Sequence, residues 1–122
     1  MPRFVILTHD YPVLHWDFML EKEAALRTWR LLQPADAPGE IAAEPLPDHR
    51  LAYLDYEGPV SGNRGHVARW DQGTYLPLVD REDCVEIDLV GGKLIGRARL
   101  WRTGDRDAWR FHFTASSTES LS

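Results

Sequence analysis

Two histidines and an aspartate lie close together in the stretch THDYPVLHWDFMLE, residues 8–21. His15 and Asp17 are two residues apart, so on a strand both side chains project from one face, where an imidazole nitrogen and a carboxylate oxygen can bind one ion. His9 can join them if Tyr11-Pro12 breaks the regular pairing and lets the chain fold back. Such a mixed donor set favours Mn²⁺, Fe²⁺ or Zn²⁺ over Ca²⁺ or Mg²⁺. A single histidine is more often a surface or backbone-bonded side chain, but the cluster of three favours a metal site.

A second pair of candidate residues, His49 and Tyr53, stands four residues apart in DHRLAY. A histidine can bind a phosphate oxygen or transfer a proton, and a tyrosine hydroxyl can donate a hydrogen bond to developing negative charge. Taken alone, the pair is better explained as a loop histidine and a half-buried strand tyrosine.

The elements that must position these residues are predicted to be strands, because apolar residues alternate with a period of two. In the second strand the buried face is predicted to hold Leu14, Trp16, Phe18 and Leu20, and the other face His15, Asp17, Met19 and Glu21. The runs RLAYLDYEG, DCVEIDLV, KLIGRARLWR and DAWRFHFT predict further strands, EKEAALRTWRLL a hairpin return strand, and SGNRG, DQG, VGGK and RTGDRD turns. The proline-rich QPADAPGEIAAEPLPDH is predicted to be a long loop with at most one helical turn at residues 40–44. The pattern indicates a small antiparallel barrel or sandwich.

Length and composition favour one domain. A chain of 122 residues that is 43% hydrophobic can close a single core, which we place at residues 1–115, followed by a frayed tail at 116–122. The one cysteine, Cys84, excludes an internal disulfide and a cysteine-rich zinc site. We expect no signal peptide or membrane span, and therefore a cytoplasmic protein.

The charge balance bears on possible partners. With 14 basic and 19 acidic residues the formal net charge is −5, which argues against wrapping duplex DNA by bulk charge but allows local phosphate recognition. A cluster of basic residues follows near the C-terminal end: Arg97, Arg99, Arg102, Arg106 and Arg110. It is equally typical of a charge-blunted strand edge and of a nucleic-acid contact surface.

The order of these motifs resembles the 3′-phosphoesterase domain of bacterial DNA ligase D. The likeness runs from Phe4 to about Phe113 and combines H-x5-H-W-D-F, D-H-x3-Y and W-D-x-G-T-Y. It implies a mainly β fold, a compact antiparallel β-barrel with at most one or two short helices, and an Mn²⁺ ion, or Zn²⁺ in its place. It further implies removal of a 3′-terminal ribonucleotide or 3′-phosphate from a DNA or RNA-terminated primer. Carried over by position, the metal ligands are His9, His15 and Asp17, and the residues that contact the scissile phosphate are His49 and Tyr53.

One departure from the family pattern concerns the phosphate site. Where the family reads H-W-D-F-R-L-E this chain has Met19, which cannot make the bidentate contact of an arginine. Arg50 or Arg64 is a candidate to supply the missing cation. We rank three alternative functions in this order: an end-processing phosphoesterase, a degenerate module that binds metal and nucleic-acid ends, and a metal-site enzyme acting on a phosphorylated metabolite. We expect any joining step to come from a separate ligase or polymerase protein.

Overall fold

The alternating apolar residues form strands that close on themselves. A computed structural model describes residues 1–104 and 107–116. The strands are β1 Arg3–His9, β2 His15–Lys22, β3 Ala25–Leu31, β4 Ile41–His49, β5 Gly58–Pro59, β6 His66–Asp80, β7 Cys84–Gly91, β8 Ile95–Arg102 and β9 Trp109–Ala115, with a 3₁₀ segment at Leu51–Leu54. Neighbours follow the order β1-β2-β3-β4-β9-β8-β7-β6, and β6 pairs with β1 to close a ring of eight antiparallel strands, with β5 added beside β6. The predicted antiparallel β-barrel is confirmed.

Two apolar clusters lie on opposite sides of the barrel wall. The interior is filled by large side chains that include Phe4, Phe18, Trp29 and Phe111. A smaller outer cluster lies outside the wall, and its buried members are Val5, Leu7, Met19, Leu26, Leu54 and Val67. Because successive side chains of a strand point to opposite faces, β1 and β2 serve both clusters. Their outer face is covered by residues 50–65, which contribute Leu54 and the partly buried Tyr53, Tyr56 and Val60.

The covering segment is fixed to the barrel by an ion pair at Asp55 and by a close backbone approach at Gly65. Arg3 Nη2 donates to Asp55 Oδ1 at 2.8 Å, and this bond holds the pKa of the Asp55 carboxyl below its usual value. At the last residue of the covering segment, Gly65, φ is 77°, and a Cβ on this residue would lie 2.2 Å from Asp10 Oδ1. Only glycine allows the chain to pass so close to the β1–β2 connection.

The proline-rich segment is ordered differently from its prediction as a long loop. Ile41–His49 forms β4, which pairs with β3 along much of its length, so the loop is shorter than predicted and no helical turn occurs at residues 40–44. Pairing with β9 covers only Ile41, Ala42 and Ala43. Pro45 and Pro47 therefore lie where β4 has lost one neighbour, and a missing backbone N–H is tolerated on such an edge.

Three further local predictions were wrong. The run RLAYLDYEG is not a strand, since Leu51–Leu54 is a 3₁₀ segment. The triplet DQG is not a turn but lies within β6, where a Cβ on Gly73 would stand 2.0 Å from the Val90 carbonyl oxygen. Leu14 precedes β2 and is 54% exposed, because the strand begins only at His15.

Other local predictions agree with the fold. The EKEA turn leads into β3, with Glu23 at a φ of 57°. Most of the predicted frayed tail, residues 117–122, lies outside the described residues, as do two residues of the RTGDRD turn. Among the described residues no helix is long and apolar enough to cross a membrane.

Candidate metal centre and phosphate pocket

The pairing of β1 with β2 brings the three predicted metal ligands together on the outer face of the barrel. His9 is directly opposite His15, and Asp17 is opposite Leu7, one step along the same face. One ligand atom from each of the three side chains lies within 4.8 Å of the others. His15 and Asp17 are almost fully buried, at 1% and 3% exposure, whereas His9 is half-buried at the rim. These distances suit a set of ligands around one ion.

Backbone carbonyls determine which nitrogen of each imidazole faces the centre. His15 Nδ1 lies 2.9 Å from the Val13 carbonyl oxygen, and His9 Nε2 lies 2.8 Å from the Arg64 carbonyl oxygen. Because a carbonyl only accepts hydrogen bonds, each of these nitrogens must carry the proton. The remaining nitrogens point inward: His15 Nε2 is 3.1 Å from Asp17 Oδ1, and His9 Nδ1 is 3.6 Å from Asp17 Oδ2. This second layer of hydrogen bonds is typical of histidines that bind metals.

The ligand atoms that face the centre of the cluster lack a hydrogen-bond donor or cation in the part of the chain that the structure describes. His15 Nε2 and Asp17 Oδ1 are both buried, and neither has a hydrogen-bond partner among the described residues. A neutral imidazole and a carboxylate would then present two lone pairs to each other at 3.1 Å. Burying unpaired acceptors in this way is unfavourable, so a proton or a metal ion must lie between them. Two nitrogen donors and one carboxylate fit a divalent transition metal.

A cavity of about 110 Å³ opens directly beside this cluster. We call it the phosphate pocket, after the ligand that we propose for it below; its walls are Leu7, His9, Asp17, Met19, His49, Tyr53, Val60, Arg64 and Val67. The structure thus brings His49 and Tyr53, the second predicted pair, to the same pocket as the three candidate ligands. His49 Nδ1 lies 2.9 Å from the Pro47 carbonyl oxygen, to which it donates, so Nε2 is the nitrogen left to accept from a ligand or a water.

The two candidate replacement arginines occupy different places. Arg64 lines the phosphate pocket, and its guanidinium is held by Ser61, with Nε donating to the carbonyl oxygen at 2.7 Å and Nη2 to Oγ at 3.2 Å. Arg50 lines a neighbouring groove instead. Met19 faces the phosphate pocket, as its position in β2 predicts, but it is 1% exposed and belongs to the outer apolar cluster.

Sequence reasoning missed the role of Asp10. Its Oδ1 accepts the backbone N–H of His66 at 2.7 Å, and this bond holds the pKa of the Asp10 carboxyl below its usual value. The bond fixes the start of the β1–β2 connection, directly after His9. The one signal in the sequence was the glycine of SGNRGH, which permits the close approach.

The C-terminal arginine cluster forms ion pairs on the barrel surface. Arg97 pairs with Asp88 at 2.9 Å, Arg99 with Glu86 at 3.7 Å and Arg102 with Glu82 at 3.7 Å. Their charges are largely balanced locally, which favours the interpretation as a charged strand face over a nucleic-acid surface. Arg110 also lies on this sheet, in β9, and Arg106 lies outside the described residues.

Fold and site together define a small antiparallel β-barrel that carries a His-His-Asp cluster beside a pocket of about 110 Å³. The DNA ligase D 3′-phosphoesterase domain matches residues 7–102 of the 122, and the chain belongs to this family. The chain is 34% identical over 123 aligned residues to the multifunctional non-homologous end joining protein LigD of Pseudomonas aeruginosa, covering 88% of this chain and 14% of that protein. It is 35% identical over 121 residues to LigD of Mycobacterium bovis, covering 89% of this chain and 15% of that protein. The chain thus spans about one seventh of these relatives.

Proposed function

We propose that this domain is a metal-dependent phosphoesterase that removes a 3′-terminal ribonucleotide or a 3′-phosphate and leaves a 3′-hydroxyl. Membership in the DNA ligase D 3′-phosphoesterase family supports a role in the processing of DNA ends during repair. The observation that carries the reaction is the buried, unpaired couple His15 Nε2 and Asp17 Oδ1, because Asp17 also lines the pocket that holds His49 and Tyr53.

The chain's own residues divide between holding a metal and binding the phosphate. His9 Nδ1, His15 Nε2 and an Asp17 carboxylate oxygen would hold the ion, which we propose to be Mn²⁺, with Zn²⁺ as the alternative. When bound, such an ion neutralises phosphate oxygens and lowers the pKa of a coordinated water. His49 Nε2 is free to accept or return a proton at the phosphate, and the Tyr53 hydroxyl can donate to a phosphoryl oxygen. No nucleophilic side chain is needed.

Arg64 is the cation that we assign to the phosphate. It is the arginine in the wall of the phosphate pocket, where Met19 supplies only an apolar surface. Its guanidinium is positioned by Ser61 before any ligand arrives. A preformed donor loses less rotamer freedom on binding, which offsets part of the missing family arginine.

Met19 also favours a second candidate function. If Arg64 does not replace the family arginine, the domain is a module that binds metal and nucleic-acid ends without hydrolysis. In either case the substrate or ligand is the 3′ end of a DNA or RNA-terminated primer, and a separate ligase or polymerase protein would complete the joining.

The test is a single-turnover assay with Mn²⁺ on primer–templates that end in a ribonucleotide or a 3′-phosphate, set beside p-nitrophenyl phosphate. Release from the primers supports the phosphoesterase, binding without release supports the binding module, and turnover of the small ester alone rejects both. The His15→Ala variant should lose all primer processing. His112→Ala is the matched control, since His112 lies in β9 outside the cluster and should leave the rate unchanged.

A further inference from the structure

A second groove adjoins the phosphate pocket. It has a volume of about 290 Å³ and shares Tyr53 and Val60 with that pocket. We call it the tyrosine groove; its walls are chiefly Arg50, Ala52, Tyr53, Tyr56, Pro59 and Val60. A ligand whose phosphate lies near His49 can therefore continue into this groove past the Tyr53 ring.

Three rings lead from the pocket into the groove. The centroids of His49 and Tyr53 are 5.8 Å apart with an interplanar angle of 65°, and those of Tyr53 and Tyr56 are 5.8 Å apart at 87°. The Tyr56 hydroxyl donates to the Pro59 carbonyl oxygen, and the ring packs against the outer apolar cluster. The aromatic wall is thus fixed before a ligand binds.

The groove also carries an available cation. Arg50 is exposed at the start of the 3₁₀ segment and makes no ion pair among residues 1–104 and 107–116. Most other arginines of the barrel do, as the pairs of Arg97 with Asp88 and Arg99 with Glu86 illustrate. A guanidinium beside two tyrosines is a combination that binds a flat ring together with an anion.

We propose that the tyrosine groove binds the base of the terminal nucleotide whose 3′-phosphate lies in the phosphate pocket, and that Arg50 pairs with the next phosphate of the same strand. This inference rests on the proposed function, because it takes the phosphate pocket as the place of the terminal phosphate. Aromatic rings with a nearby cation are the means by which proteins hold single-stranded nucleic acid without reading its sequence. A small phosphate ester without a base leaves the groove empty and binds more weakly.

The experiment measures binding of a fluorescent primer–template whose unpaired terminal primer nucleotide has a 3′-phosphate and carries either a base or a reduced abasic sugar. The wild type should bind the base-bearing primer about tenfold more tightly, which corresponds to about 1.4 kcal/mol. Tyr56→Leu keeps an apolar side chain without the ring and should bring the two affinities within about twofold, whereas Tyr56→Phe should keep the preference. Ala52→Met, at an exposed position of the groove, places a long side chain without a ring there and should block the groove and remove the preference as well.

Arg50 has its own matched control. Arg50→Ala should weaken both primers by a similar factor and reduce the salt dependence of binding. Arg81→Ala removes the same charge at the turn that follows β6, at a residue that lines neither the phosphate pocket nor the tyrosine groove, and should change neither.

Equal affinity of the wild type for the two primers overturns the proposal that the groove binds the base, as does a preference that survives both Tyr56→Leu and Ala52→Met in folded protein. Different results distinguish failure of the proposed function from failure of the base-binding proposal. If binding depends on the base but neither primer is hydrolysed in Mn²⁺, the base-binding proposal is supported and the phosphoesterase proposal is wrong. If the primers are hydrolysed without any base preference, the phosphoesterase proposal is supported and the base-binding proposal is wrong. Absence of primer binding contradicts both proposals.

Discussion

At the scale of single residues, the chemistry of the site depends on which atom each side chain presents. The spacing predicted that His15 and Asp17 share a face and that His9 joins them if the chain folds back at Tyr11-Pro12, and the pairing of β1 with β2 brings the three side chains together. The sequence could not tell which imidazole nitrogen faces inward. That choice is made by the carbonyl oxygens of Val13 and Arg64, which lie in irregular connections whose course no periodicity predicts.

Met19→Arg tests whether position 19 limits the reaction. The side chain faces the phosphate pocket, so a guanidinium there can reach a phosphate, and a charge-assisted hydrogen bond is worth about 1.5–3 kcal/mol. We expect the single-turnover rate of Mn²⁺-dependent 3′-phosphate release to rise about ten- to a hundredfold if the bond forms in the transition state. In the absence of phosphate the variant should be less stable to urea, because the charge enters an apolar cluster.

Met19→Leu is the control for the loss of the methionine and should change neither rate nor stability greatly. A wild type as fast as Met19→Arg, combined with a slow Arg64→Ala variant, would show that Arg64 already fills the role of the family arginine.

At the scale of elements, the strands were predictable where one face is apolar, and the failures have a common cause. Residues 50–56 alternate like a strand, yet the apolar Leu54 and Tyr53 are used to cover the outer cluster as a 3₁₀ segment. The prolines of β4 suggested a loop, because nothing in the local sequence reveals that the strand has only one neighbour there. Both outcomes depend on partners distant in sequence.

Asp71 holds the turn between β7 and β8. Its carboxylate accepts backbone N–H groups of Gly92, Lys93 and Leu94 at 2.8, 2.9 and 2.9 Å. Asp71→Ala leaves these donors without their acceptor in a largely buried place and should lower the free energy of unfolding by roughly 2–4 kcal/mol. Urea denaturation followed by tryptophan fluorescence measures the loss. Asp36→Ala, at an exposed position, should change stability by less than about 0.5 kcal/mol, and an equal effect of the two would contradict the assignment.

Tyr75 makes the stability of the β2–β6 contact depend on alkaline pH. Its hydroxyl donates to the Glu21 carbonyl oxygen at 2.6 Å, and burial raises the pKa of Tyr75 above its ordinary value of 10.0. The stabilisation is therefore complete below pH 10 and is lost as the pH rises through the folded-state pKa, because the unfolded chain ionises first. The stability difference between the wild type and Tyr75→Phe, measured by chemical denaturation, should shrink as the pH is raised above about 10. A difference that stays constant over this range would contradict the pKa shift.

At the scale of the whole molecule, the site lies outside the barrel wall rather than in its interior. The interior is filled by large aromatic side chains, whereas the candidate ligands lie on the outer face of β1 and β2, which residues 50–65 cover. The net charge of −5 therefore says little about phosphate binding, because the relevant cations, Arg50 and Arg64, both belong to this covering segment. The barrel supplies rigidity, and one short segment supplies most of the contacts proposed for the substrate.

Metal binding should stabilise the whole fold, because the candidate ligands come from two strands and His9 is also bonded to the Arg64 carbonyl oxygen in the covering segment. At a free Mn²⁺ concentration of about 100 times its Kd, the free energy of unfolding should rise by about 2.7 kcal/mol, provided the unfolded chain does not bind the ion. Asp17→Asn separates this effect from general folding. An amide nitrogen at the position of Asp17 Oδ1 can donate to His15 Nε2, which lies 3.1 Å away in the wild type. The variant without metal should thus be as stable as the wild type or more so, yet gain almost nothing from Mn²⁺. Thermal unfolding in EDTA and in Mn²⁺ gives both quantities, and a full Mn²⁺ stabilisation of Asp17→Asn would show that the ion is bound elsewhere.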